Sequence, residues 1–508
     1  MDESISLFQS IRHDLETRQD LSLQLQQLAG LIGTTRSNEG FLQSLSNSTE
    51  IWKFLRDIIQ YSTSIDAHIG ELQARVIRGL IVLSRNLITN NQAHLEDFNF
   101  LLLRYLQKLA IEEQISTAVK LNTLHSSLEY FANFTHIKLK FETGLIANLN
   151  DTVSSFEITQ DPECVVLLFT VFYNLIKDDE VTSEALSQAK GKFILELLLQ
   201  SFESIDFKSS SENNEELSSS DLLMVKISKK LITHESFLKF ITVHNEPSLT
   251  SRYLKIAQVV ITSFSKWDVF DLTVILSWTF EHLQTLSNQL QAHFKVQDLD
   301  KLSDESTILY SQLSTVLDIY THLTIFEHTK KFIDSYHGID LMISILSTLH
   351  TNIKPLKLKD SERSNYEIPD SHFPGCKSLL IEVLSQLTHG NHSVQEQIRE
   401  KHGLEVILSC TNIDDNEPFI KERSIVCLRF LLLGNEGNQK FVAALEARQV
   451  LDKEVVDQVG YDVEIKDGKV ELKKKDEFKD MERRVLQKDE WEASQNKKPK
   501  LEDVSEDH

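Results

Sequence analysis

Proline and glycine are scarce in this sequence, with 7 and 15 among 508 residues. A many-stranded β fold, or a glycine-rich loop around a phosphate, needs more turn residues than that. Cysteine is scarcer still. Cys164, Cys376, Cys410 and Cys427 form no CxxC pair, and each lies in or beside an apolar run. They read as small hydrophobes, neither a disulfide framework nor a metal site, which points to a reducing compartment. Positive charge is also in deficit, with a formal net charge of −23. A general basic face for nucleic acid or for an anionic membrane is therefore not expected. The N-terminal stretch MDESISLFQSIRHDLE lacks the basic start and apolar core of a secretion signal. The most apolar run, Cys164 to Ile176, is too short to span a bilayer and carries Asn174. The expectation is a cytoplasmic protein.

Catalytic signatures are missing as well. There is no GxxxxGKS/T, no GxGxxG after a strand, no HExxH and no GxSxG. His234-Glu235 lacks a second histidine, and His389 with His392 lacks a third ligand. No catalytic residue, cofactor or metal is expected, and the chain is read as a non-enzyme.

What the sequence does have is helical periodicity. Leu21, Leu25, Leu28 and Leu31–Ile32 make one apolar stripe, and Phe54, Leu55, Ile58 and Ile59 another. The segment Thr34 to Gly40 reads as a loop between helices. From Leu72 the runs become apolar on most faces, as a helix sandwiched between other helices requires. Asn86, Asn133 and Asn174 end three such runs, 47 and 41 residues apart; Gln386 and Phe430 end two more, 44 apart. Pro162, Pro247, Pro374 and Pro418 each stand 12 residues before the corresponding position of a run. Proline suits the first turn of a helix, where no N–H is needed; Asp161 and Asn416 are expected to cap two of these helices. A His-Gly pair recurs in IDSYHGIDLMISIL and IREKHGLEVILSC, with Ile five residues before Gly in both. Gly338 and Gly403 are expected to end a short helix and turn the chain. A period in the low-to-mid forties predicts an all-α armadillo/HEAT-like solenoid, a superhelix of stacked helical repeats.

The organisation follows. Residues 1–375 read as divergent repeats with loops near 209–221 and 351–373, residues 376–451 as the clearest repeat, and residues 452–508 as a charged, largely mobile tail. A short hairpin around Asp467-Gly468 is expected within GYDVEIKDGKVELKKK. The serines of 209–221 are candidate phosphorylation sites, and the basic cluster 496–501 a candidate import signal. The acidic turn Asp414-Asp415-Asn416-Glu417 lacks the alternating ligands of a calcium loop. It reads as a cap on the helix opened by Pro418. Asn86, Asn133 and Asn174 either line a groove for a partner peptide or satisfy the backbone between repeats. Protein partners are expected, and a homo-oligomer is left open.

The stretch Cys376 to Leu451 resembles the C-terminal domain of the ataxin-10 family. The resemblance is carried by Lys377–Leu380, Gln395, Gly403-Leu404, Ile407-Leu408, Cys410-Thr411-Asn412, Asp414-Asp415-Asn416, Pro418-Phe419-Ile420, Glu422-Arg423, Arg429, Asn435 and Asn438-Gln439. The segment GYDVEIKDGKVEL is similar to fungal members. Where the family usually has Asn-Leu, this chain has Phe430-Leu431. The resemblance implies a cytoplasmic, non-enzymatic armadillo-repeat scaffold in cytokinesis, cell-cycle control or morphogenesis. Animal members are linked to neurite growth and to partners such as a glycosyltransferase and a G-protein β subunit. An armadillo-type guanine-nucleotide exchange factor or GTPase chaperone is the alternative.

Overall fold

The computed structural model describes residues 2–64, 69–88, 96–138, 140–187, 190–205, 217–243, 246–295, 302–358, 366–447, 453–466 and 469–475. The chain divides into two compact units, residues 1–278 and 279–508. Ser209, Ser210 and Ser211, the hairpin tip at 467–468 and the basic cluster 496–501 lie outside the described residues, whereas Ser218 caps the helix that begins at Ser219, inside the expected loop.

In the first unit one layer of helices stacks side by side: Ser22–Ser37 on Glu71–Leu87, then Thr117–Ile137, Pro162–Leu175 and Ser219–Ile232. A second layer stacks in parallel order: Asp2–Thr17 on Thr49–Thr63, then Glu96–Ile111, Leu145–Val153, Lys192–Glu203 and Pro247–Ser263. Successive inner helices start at Glu71, Thr117 and Pro162, which reproduces the sequence period. The Glu71 helix shows why. Val76, Ile77, Leu80, Ile81, Leu83 and Leu87 point several ways, and all are buried. Each contributes about 1.5–3 kcal/mol by leaving water, and no single face of a helix can hide them all. An aromatic chain fastens the layers: Trp52 meets Phe98 at 5.9 Å and Phe98 meets Tyr130 at 5.5 Å, with the Tyr130 hydroxyl donating to Asn99 Oδ1 at 2.9 Å.

The second unit repeats the scheme. Leu302–Leu323 packs on Cys376–Thr388, which packs on Ile420–Leu432, which packs on Lys453–Val459. Gly338–Asn352, His392–Glu400, Gly403–Ser409 and Glu436–Ala447 form its other layer. The expected hairpin is present: Tyr461–Lys466 pairs antiparallel with Lys469–Lys474, in the register Tyr461↔Lys474. Residues 453–466 and 469–475, expected as part of a largely mobile tail, are instead folded onto the unit. Val456, Val459 and Tyr461 are buried, and the Tyr461 hydroxyl donates to the Leu432 carbonyl at 3.2 Å.

Other expectations are corrected too. Thr34 to Gly40 is nearly all helix; Thr34, Thr35 and Ser37 are accommodated there by returning their hydroxyls to carbonyls of the preceding turn. Asn38 alone breaks the helix, at φ −132°, and caps the next by accepting from the Phe41 N–H at 3.0 Å. Asp161 caps the helix that Pro162 opens, accepting from the N–H groups of Glu163 and Cys164 at 3.0 and 3.3 Å. Pro247 also opens its helix. Pro374 and Pro418 do not. Their helices start two residues later, after Gly375 at φ 79° and Phe419 at φ 64°.

Candidate functional site

The three asparagines of the first unit lie on the inner layer. Asn86 donates sideways to Thr35 Oγ1 on the preceding inner helix at 3.0 Å, and Asn174 donates to Thr135 Oγ1 at 3.3 Å. Asn133 is half-buried, two positions before Thr135. Gln386 makes the matching rung in the second unit, accepting from Thr324 Oγ1 at 2.6 Å. Phe430 stands at the next such position and stacks edge-on against His389, with centroids 4.6 Å apart. An aromatic contact thus stands at this position in place of an amide rung.

The acidic turn does not cap the helix that follows it. It reaches back to the N-terminus of the Cys376 helix. Glu417 accepts from the N–H groups of Lys377 and Ser378 at 3.1 and 3.0 Å, two of the donors that a helix start leaves open. Asp414 Oδ2 accepts from Lys377 Nζ at 2.8 Å, with both side chains almost fully buried. Asp414 Oδ1 and Asp415 Oδ2 accept from the N–H groups of Leu356 and Leu358, at 2.9 and 2.6 Å. Asn416 holds the Lys354 carbonyl and His372 Nδ1. The turn therefore ties the 351–373 insert to the Cys376 helix. Burial pushes the Glu417 carboxyl up to about 7, against the pull of the Lys377 ammonium and the N–H groups of Ser378 and Lys377. Pro418 is exposed and outside the helix, so Pro418→Ala is expected to leave the melting temperature within about 2 °C of wild type, as surface changes do.

The amides of the resemblance do the same work at the other end. Gln395 Nε2 donates to the Phe430 carbonyl at 2.8 Å, Asn438 Nδ2 to that of Leu431 at 2.8 Å, and Gln439 Nε2 to that of Leu432 at 2.7 Å. These are the carbonyls that the Ile420 helix leaves without intrahelical partners. Arg429 donates to the Gln458 carbonyl at 2.6 Å and anchors the Lys453 helix. Gly403 does not turn the chain. His402 takes the left-handed conformation at φ 62°, and Gly403 starts the next helix, as His337 and Gly338 do upstream.

Sequence reasoning missed a groove in the first unit. It is an open recess of about 930 Å³. The exposed face of the Ser219 helix floors it with Leu222, Val225, Lys226 and Lys229. Tyr173 and Lys177 line one wall, Phe264 and Phe270 the other. Lys229 Nζ lies 4.5 Å from the Phe264 ring centroid and 4.9 Å from that of Trp267. Lys177 Nζ lies 5.2 Å from the Tyr173 centroid and donates to Asn174 Oδ1 at 3.0 Å, which joins the groove to the asparagine rung. Lys230 pairs with Asp179 at 3.0 Å. Burial, and then the Asp268 carboxylate beside it, raise the Asp271 carboxyl. His234 is lowered, chiefly by burial. The sequence signal was available: Leu222, Val225, Lys226, Lys229 and Thr233 share one helical face.

The cysteines are not set up for covalent chemistry. All four cysteines are buried, and burial pushes the Cys164 and Cys410 thiols up to about 12. Among the described residues no group of three His, Cys, Asp or Glu side chains can hold a metal, and no helix is long and apolar enough to cross a membrane.

A family model described as "Spinocerebellar ataxia type 10 protein domain" matches residues 376–473, hairpin included. The "Ataxin-10 homolog" of Debaryomyces hansenii is 30% identical over 474 residues, covering 90% of this chain and 92% of its own. The "Ataxin-10 homolog" of Saccharomyces cerevisiae is 27% identical over 94% of this chain and 96% of its own, and human "Ataxin-10" is 27% identical over 48% and 53%. A solved structure from a study of cadherin and β-catenin overlaps 87% of this chain and 78% of its own, with 12% identity and a TM-score of 0.33. The assignment of a helical solenoid rests on the stacking of helices within each unit, not on that overlap. With such a relative aligned over nine-tenths of its length, and its C-terminal module matching the family model, this chain belongs to the ataxin-10 family.

Proposed function

We propose that this chain is a non-enzymatic armadillo-type scaffold that acts in the cytoplasm, gathering protein partners for cytokinesis, cell-cycle control or morphogenesis. The observation that carries the reading is how the polar groups are used. Those of the C-terminal module are committed to helix ends and buried pairs, whereas the groove of the first unit keeps lysines and aromatics at a solvent-facing surface. A site built for chemistry shows the reverse, with converging reactive groups whose pKa values are tuned towards neutrality. Here the thiols are pushed away from reactivity, and the one carboxyl that burial raises to about 7, Glu417, is buried and spends both oxygens on the N–H groups of Lys377 and Ser378.

The test pairs proximity labelling by a fusion to the full-length chain with depletion of the chain. The expected result is a labelled set enriched in division and polarity proteins, together with failed septation on depletion. Normal septation and normal cell shape after complete depletion would remove the cellular assignment. A labelled set no richer in any protein than that of a free labelling enzyme would remove the scaffold.

A further inference from the structure

Three features of the molecule are not absorbed by its packing. One is the pair His350 Nε2 and Ser409 Oγ, 2.9 Å apart in the second unit. Ser409 also donates to the Val406 carbonyl at 2.7 Å, which commits its hydroxyl hydrogen to the backbone. The second is Phe419, 73% exposed in a left-handed conformation, with nothing on the molecule that indicates what covers it. The third is the groove, and there the chemistry specifies an occupant.

We propose that the groove between the Pro162 and Ser219 helices binds an extended, Asp/Glu-rich peptide segment carrying one bulky apolar side chain. The inference rests on the scaffold reading and names the class of partner. The first part of the case is charge. The chain carries −23 overall, yet four lysines line one recess: Lys230 pairs with Asp179, Lys229 lies within the field of Asp268 and Asp271, and Lys177 and Lys226 have no carboxylate salt bridge among the described residues. The cations are held in place: Lys177 by Asn174 and the Tyr173 ring, Lys229 by two aromatic faces. An ammonium on an aromatic face still has donors to offer a carboxylate.

The second part is the apolar surface. Leu222 is 46% exposed and Phe270 73% exposed, and both line the same recess as the lysines. Exposed apolar surface rimmed by charge is how docking sites are built: the apolar anchor supplies affinity and the rim supplies selection. The third part is shape. The recess is open to solvent along the exposed face of the Ser219 helix, with Tyr173 and Lys177 on one side and Phe264 and Phe270 on the other, and its volume suits a short extended segment. Asp179, Glu235 and Asp271 also line the recess and set a limit: they repel a peptide that is acidic along its whole length, and so favour one whose acids are confined to the side of Lys177 and Lys226.

The probe is a fluorescein-labelled twelve-residue peptide with a run of Glu, one central Leu and a neutral end, titrated with the full-length protein by fluorescence anisotropy. Lys177 and Lys226 are exposed, so Lys177→Glu with Lys226→Glu leaves the fold intact, and Lys255→Glu on the outer layer is the matched control. Binding by wild type, a loss of about tenfold or more in the double variant, and no change in the control are expected. Raising salt from 50 to 300 mM should weaken binding by a similar factor. Replacing Leu by Ser should weaken it again. Equal binding by wild type and the double variant, or equal binding of a Lys-for-Glu peptide, overturns the proposal. So does self-association that the double variant abolishes, which gives the groove to a second copy. If the peptide fails while proximity labelling still returns a partner set, the scaffold stands and this assignment of its groove falls.

Discussion

Asp414→Ala is expected to destabilise the second unit by about 3–5 kcal/mol. The reason is what it leaves behind. Lys377 and Asp414 are 2% and 4% exposed, with Nζ and Oδ2 2.8 Å apart. Removing the carboxylate takes away the direct partner of an ammonium that water cannot reach, and Glu417, the other carboxyl near it, is held by backbone N–H groups and cannot replace the lost bond without giving those up. Asp414 Oδ1 also accepts from the N–H groups of Leu356 and Asn416, so two backbone donors lose their partner at the same time. Lys377→Met in the Asp414→Ala background should recover part of the loss, because a Met fits the same channel with no charge to satisfy. The exposed pair Lys440–Glu436 gives the contrast: Lys440→Ala should not move the transition measurably. Urea unfolding of the full chain, followed by hydrogen exchange at amides of the Cys376 helix, reads all three. A loss below about 1 kcal/mol for Asp414→Ala, in the range of a surface pair, would sink the account.

That same turn shows where the sequence stops being legible. Its acids follow a local rule, acid before helix, and the local rule points to the helix downstream. The structure uses them on a helix about forty residues upstream, because the neighbouring repeat sets its helix start against the turn. A capping signal identifies a helix start but not which one, once repeats lie side by side. Where the cap is local the sequence is enough: Asp161 and Pro162 act as their spacing predicts. Inner helices are legible for the same reason, since burial on most faces leaves its mark on every residue of the run. The asparagines were legible as a period and not as a role, because a side-chain amide serves a groove and a neighbouring helix equally well until the Thr35 and Thr135 hydroxyls are in place. The groove escaped notice because its lysines are scattered over fifty residues of an acidic chain, and convergence is a property of the stack.

Gly403→Val is expected to cost about 2–3 kcal/mol, and the backbone is not the reason. Gly403 has an ordinary φ; the left-handed residue is His402, at 62°. A Cβ on Gly403 meets Ile398 Cγ2 at 3.0 Å and two side-chain atoms of Ile343 at 3.1 Å. Gly338 is confined in the same way: a Cβ there meets Ile333 Cγ2 at 2.7 Å and the Phe280 ring at 3.2 Å. In both copies the obstructing isoleucine is the one five residues before the glycine. The sequence pattern is therefore a packing unit, in which a short helix folds its last isoleucine under the start of the next. This separates two explanations that the sequence alone leaves tied. If left-handed strain mattered, His402→Gly would be strongly stabilising and Gly403→Ala harmless. On the packing account His402→Gly changes little, since the relief of strain is offset by the added freedom of the unfolded chain. Gly403→Ala costs about 1 kcal/mol, because the two isoleucines must give by a few tenths of an ångström. Gly403→Val costs more, because two further methyl groups find no space. Ile398→Ala weakens wild type through the cavity it creates but should partly rescue Gly403→Val, and that non-additive pair is the decisive measurement. Additive losses in the double variant would show that the two side chains do not compete for the same volume.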